Sequence, residues 1–121
     1  MKKGELYGME VVMDLYGCDQ KKIKSAKELK NFVTKMCQLL DMEKFGNTLV
    51  HHFGHNCPKT AGFSLLQFIE TSSITGHFSE LWCSAYINVF SCRMFDEKKT
   101  VNFTKKFFKA KKIVFRKIVR R

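Results

Sequence analysis

Ser72, His77 and Cys92 are the residues in this 121-residue sequence whose types and spacing could do chemistry together. They stand in a Ser-x4-His-x14-Cys frame. Two adjacent serines and the histidine belong to the segment ETSSITGHF, and the cysteine ends the run YINVFSC. A hydroxyl can act as a nucleophile, an imidazole moves protons near neutral pH, and a thiol can do either. If the polar segment and the later strand end meet at one end of a sheet, the three groups converge. Plainer readings compete: serines are common in turns, a single histidine is more often a hydrogen-bonding residue than a catalyst, and a free cysteine is usually a small apolar residue.

Other constellations carry less. His51, His52, His55 and Cys57 are close together, and zinc would accept such ligands. Yet His51 and His52 fall on opposite faces of a strand, and no second ligand cluster follows, so no metal is expected. Glu10 and Asp14 share a strand face and could border a pocket or simply face solvent.

The elements that must position these residues follow from local patterns. Met9 to Leu15 is apolar at every second position and predicts a strand. Gly17 to Lys24 reads as a loop. Ser25 and Glu28 have capping-box spacing, followed by the helical stripe Leu29, Phe32, Val33, Met36, Leu39 and Leu40. Gly46-Asn47 predicts a turn, Thr48 to Phe53 a strand, Gly54 to Ala61 a loop, and Gly62 to Glu70 a buried strand. Thr71 to Gly76 reads as a polar turn. Ala85 to Cys92 alternates as a strand. Asp96 can cap a helix to about Phe108, with its phenylalanines in the core, and Ile113 to Val119 makes the last strand. The order is β-α-β-β-β-α-β: an α+β, two-layer sandwich with a mostly antiparallel sheet and two helices on one face. The other sheet face also carries apolar residues, which a second copy of the chain would cover.

Length and composition predict a single domain over residues 1–121, with 45% hydrophobic residues and one proline. The net charge is +11, and nine of the 22 basic residues lie between Lys105 and Arg121. Such a run could meet an anionic partner, but a solvated helix face leading into a basic edge strand is the simpler reading, and no nucleic-acid motif accompanies it. Nucleic acid and membrane are therefore not expected partners. The five cysteines are odd in number and contain no CxxC, and MKKGELYGME has no apolar signal core, so free thiols in a reducing cytoplasm are expected.

The opening YGMEVVMDLYGCD resembles the first strand of the prokaryotic-type S-adenosylmethionine decarboxylases: a glycine, a mixed strand, an acidic residue, then aromatic-x-Cys-Asp. Ser72-Ser73-Ile74-Thr75-Gly76-His77-Phe78 is similar to that family's processing region. Phe90-Ser91-Cys92 falls at the family's spacing from the histidine, and FFKAKKIVFRKI is similar to its final helix, turn and strand. The resemblance implies a pyruvoyl-dependent enzyme that cuts itself between Thr71 and Ser72. Ser72 would become the pyruvoyl cofactor and form the Schiff base with the substrate, His77 would assist self-cleavage, and Cys92 would be the proton donor. The substrate would be S-adenosylmethionine, the product the aminopropyl donor for spermidine synthesis, and the assembly a homodimer whose sites are built by both sheets.

The sequence departs from the family pattern in places. Thr71 stands where the family has Glu, with Glu70 one residue earlier. A one-residue shift would make Thr71 the reactive residue and yield a 2-oxobutyryl group, but Ser72 is preferred. Ser73 replaces a histidine. Pro58-Lys59-Thr60-Ala61-Gly62 lacks the processing serine of the family's loop, for which Thr60 could substitute. Ser79-Glu80-Leu81-Trp82 replaces Trp-Pro-Glu. The alternatives are an unprocessed homologue that binds a ligand or partner, and a decarboxylase of another amino acid such as ornithine or arginine.

Overall fold

The computed structural model describes residues 5–121. Its elements run β1 (Gly8–Tyr16), α1 (Gln20–Ile23), α2 (Ala26–Leu39), β2 (Lys44–Phe53), β3 (Gly62–Ile69), β4 (Ser72–Ser79), β5 (Ser84–Ser91), α3 (Glu97–Phe107) and β6 (Lys112–Arg120). The six strands form one sheet in the order β2-β3-β4-β5-β1-β6, and each neighbouring pair is antiparallel. The helices cover one face, giving the expected two-layer α+β sandwich.

The helices start where the sequence provides caps. Ser25 Oγ accepts the Glu28 N–H at 3.2 Å, and Asp96 Oδ1 accepts that of Lys99 at 3.1 Å, each satisfying an N–H that has no partner within its helix. α2 buries Leu29, Phe32, Val33, Met36 and Cys37. Leu39, expected on that stripe, is largely solvent-facing because the buried arc runs through Cys37 instead. Phe32 is the hub between the helices: its ring lies 5.8, 5.4 and 4.8 Å from those of Phe103, Phe107 and Phe108. Phe108 also reaches Phe78 of β4, at 5.6 Å, and so ties α3 to the sheet.

Three segments differ from the sequence expectation. Thr71 to Gly76 is not a polar turn. The turn is only Glu70-Thr71, and Ser72 already pairs with Ile69 of β3 and Ser91 of β5. Ile74, Gly76 and Phe78 face the helices, but Gly76 leaves a gap that hides the alternation. Residues 17–24 hold the short helix α1, because Asp19 Oδ1 accepts the Lys21 N–H at 2.9 Å. Gly46-Asn47 does not reverse the chain. It lies within β2, where the β2–β3 register shifts between Phe45 and Leu49 and Gly46 takes φ 74°. Buried Gln67 holds this bulge: its amide donates to the carbonyls of Phe45, Gly46 and Phe68, and its oxygen accepts the Thr48 hydroxyl.

The second sheet face is open. It carries Phe45, Phe53 and Phe68, each more than half exposed, with Leu49 and Leu66 between them. The basic C-terminal run forms the end of α3 and the edge strand β6, with its lysines and arginines exposed.

Candidate functional site

The tight β3–β4 hairpin brings the reactive segment to the end of β5. Thr71 occupies the second turn position with φ 58°, a left-handed conformation that a β-branched residue adopts only under strain. Its hydroxyl donates to the Glu70 carbonyl at 2.6 Å, and Oγ1 lies 2.8 Å from Cys92 Sγ. Either the hydroxyl or the thiol can donate in this second contact. The Cys92 thiol therefore lies against the turn that contains the Thr71–Ser72 peptide.

Ser72 opens β4 with its side chain toward the helix layer. Its Oγ–H donates to Ser91 Oγ at 3.0 Å. Thr71, Ser72 and Cys92 border a cavity of about 380 Å³ whose walls also include Asp41, Lys44, Glu70 and Arg93. Arg93 closes one wall by donating to the Leu40 and Asp41 carbonyls at 3.3 and 2.7 Å. β1 packs directly behind: a side chain on Gly8 would collide with the Ser91 carbonyl oxygen, so only glycine allows this approach.

His77 is not part of this cluster. It lies five residues along β4 from Ser72 and on the open face, roughly 16 Å away at the strand rise. There Ser64 Oγ holds its Nδ1 at 2.8 Å. The pair faces a second, larger cavity of about 540 Å³, walled by Phe53, Phe63, Phe78, Trp82 and Tyr86 and edged by Lys59 and Thr60. Ser64 escaped the sequence reading because only the β3–β4 register sets it opposite His77. Thr60, the expected substitute hydroxyl, bonds instead to the Cys57 carbonyl at 3.4 Å.

The remaining candidates are structural in their contacts. Glu10 pairs with Arg120 at 3.1 Å on the open face. His52 Nε2 meets Glu80 at 2.9 Å, its Nδ1 lies 3.4 Å from His55, and His51 points to the other face against Phe53. Among the described residues, no three histidine, cysteine or acidic groups converge as metal ligands, and no helix is long and apolar enough to cross a membrane. All five cysteines are free thiols. Burial, with a smaller contribution from Cys83, pushes the Cys18 thiol up to about 12. Hydrogen bonds from the Thr60 side chain and backbone lower that of exposed Cys57.

An antiparallel six-stranded sheet covered by helices on one face, with a hydroxyl–thiol site at a hairpin end, defines the architectural class. The same fold occurs in the crystal structure of the adenosylmethionine decarboxylase from Aquifex aeolicus VF5, with a TM-score of 0.79, 17% sequence identity, and coverage of 97% of this chain and 92% of that one. No curated protein matches the sequence. The family model for S-adenosylmethionine decarboxylase matches residues 9–121. The chain belongs to the S-adenosylmethionine decarboxylase family, a family of carboxy-lyases.

Proposed function

We propose that this chain is a self-processing S-adenosylmethionine decarboxylase that derives a pyruvoyl group from Ser72 and supplies the aminopropyl donor for spermidine synthesis. The observation that carries the reading is the hairpin end, where Ser72 follows the strained Thr71 and the Cys92 thiol lies against the turn. In processing, Ser72 Oγ attacks the Thr71 carbonyl carbon, the peptide C–N bond breaks and an ester C–O bond forms. A base then takes the Ser72 Cα proton, the Thr71 carboxylate leaves, and water hydrolyses the remaining enamine, releasing ammonia. The site suits a pyruvoyl precursor because it combines a hydroxyl after a strained peptide with a neighbouring acid. When formed, that group supplies the electron sink for loss of carbon dioxide. Cys92 is the proton donor beside it.

The base is His77, and it comes from a second copy of the chain. Within one protomer His77 is on the wrong face and at the wrong end of β4. The Ser72 side chain points to the helices, so a base outside the helix layer must reach its Cα from the open face. A homodimer joined through that face would cover Phe45, Phe53 and Phe68 and let the partner's His77 approach. The free thiols suit a cytoplasmic enzyme.

The test is the mass of the purified protein, followed by co-expression of differently tagged Ser72→Ala and His77→Ala chains. The wild type should give two fragments, the smaller beginning with a pyruvoyl group at position 72 and active in releasing carbon dioxide from S-adenosylmethionine rather than ornithine or arginine. Neither variant should cut alone, and co-expression should restore cleavage of the His77→Ala chain. An intact wild-type mass would refute self-processing, and failed complementation would refute the shared site.

A further inference from the structure

We propose that Ser91 is a positioning residue for self-cleavage at Ser72, an inference that rests on the reading above. Ser91 ends β5 and is fully buried. It is the register partner of Ser72 across the β4–β5 ladder, and its Oγ accepts the Ser72 hydroxyl at 3.0 Å. The same oxygen accepts the Arg93 backbone N–H, also at 3.0 Å. Both acceptor positions of Ser91 are thus engaged, and its rotamer is held from two sides. Arg93 is itself anchored to the end of α2 through the Leu40 and Asp41 carbonyls. On the far side, the Gly8 backbone packs against the Ser91 carbonyl with no room for a side chain.

A serine hydroxyl at a strand end ordinarily samples three rotamers and shares its proton with water. Here the Ser72 proton is directed at Ser91, which fixes Oγ and leaves its lone pairs free for the adjacent Thr71 carbonyl carbon. In the acyl shift the Ser72 proton ends on its own nitrogen as the C–N bond breaks. Ser91 forms no covalent bond and is unchanged afterwards. Its contribution is to hold the nucleophile in a reactive orientation, and misplacing a reacting atom by about 1 Å can cost 10²-fold in rate.

The experiment follows cleavage by mass spectrometry during cell-free synthesis of the wild type and of Ser91→Ala, Ser91→Val and Ser91→Thr. Threonine and valine have the same shape and differ by the hydroxyl, so a merely structural role would move both together. Ser91→Ala and Ser91→Val should cut roughly tenfold to hundredfold more slowly, and Ser91→Thr should recover most of the rate. Added hydroxylamine, which splits esters, should not speed fragment release from Ser91→Ala, because the slowed step precedes the ester. Equal rates for the threonine and valine variants, wild-type speed in Ser91→Ala, or rapid hydroxylamine cleavage of Ser91→Ala would each overturn the role of Ser91. A wild-type chain that stays whole would instead overturn self-processing, and this inference with it.

Discussion

Replacing Thr71 with glycine should make the uncut chain more stable and its self-cleavage slower. Thr71 holds φ 58°, and an L-residue in the left-handed region carries roughly 1–2 kcal/mol of strain. Glycine relieves this strain but adds freedom to the unfolded chain, which offsets about 0.5–1 kcal/mol. The net gain should be about 1 kcal/mol, or about 4 °C in Tm for a domain of this size. In the cleavage reaction the relieved strain no longer raises the ground state. Since 1.36 kcal/mol corresponds to about tenfold in rate, Thr71→Gly should cut roughly 5- to 30-fold more slowly. Thr71→Ala separates the causes, because it also loses the hydroxyl contacts to Glu70 and Cys92 but keeps a Cβ. Stability should be measured by denaturant unfolding in a Ser72→Ala background, where each chain is one piece. Cleavage should be timed with Ser72 present. If Thr71→Gly is no more stable than Thr71→Ala, or cuts as fast, strain at this turn does not drive the reaction.

Cys92→Ala should still yield some cleaved protein, but turnover per pyruvoyl group should fall about 10²–10⁴-fold, the usual contribution of a positioned general acid. Near-equal turnover would make Cys92 a structural thiol. Alkylation at neutral pH should modify exposed Cys57 first and buried Cys18 and Cys37 last, read by peptide mass spectrometry. The same burial sets a pH dependence. An unfolded thiol ionises at about 8.5, whereas folded Cys18 holds its proton to about 12. The unfolded chain therefore loses that proton first, and stability should fall as pH rises through this window. Cys18→Ala should flatten the fall, and an unchanged slope would assign it to other groups.

Much of the framework was legible because it is written in short-range patterns. Ser25 and Asp96 cap the helices through contacts three residues away, alternation marks β1 and β5, and apolar spacing marks the buried face of α2. The sequence likewise set Ser72 and Cys92 at one end of the sheet, because Ser72 opens β4 and Cys92 directly follows β5, although the thiol meets Thr71 rather than Ser72. What the sequence could not disclose depends on strand pairing. β4 was misread as a turn because Gly76 contributes no side chain to the alternation, and its strand character comes from β3 and β5 on either side. Register alone sets Ser64 against His77 and Ser91 against Ser72, since neither partner is near the other in the chain. The separation of His77 from Ser72 has the same origin. A strand extends five residues over roughly 16 Å and sends odd and even side chains to opposite faces, so closeness in sequence became distance in space, and His77 came to face the open side while Ser72 faces the helices.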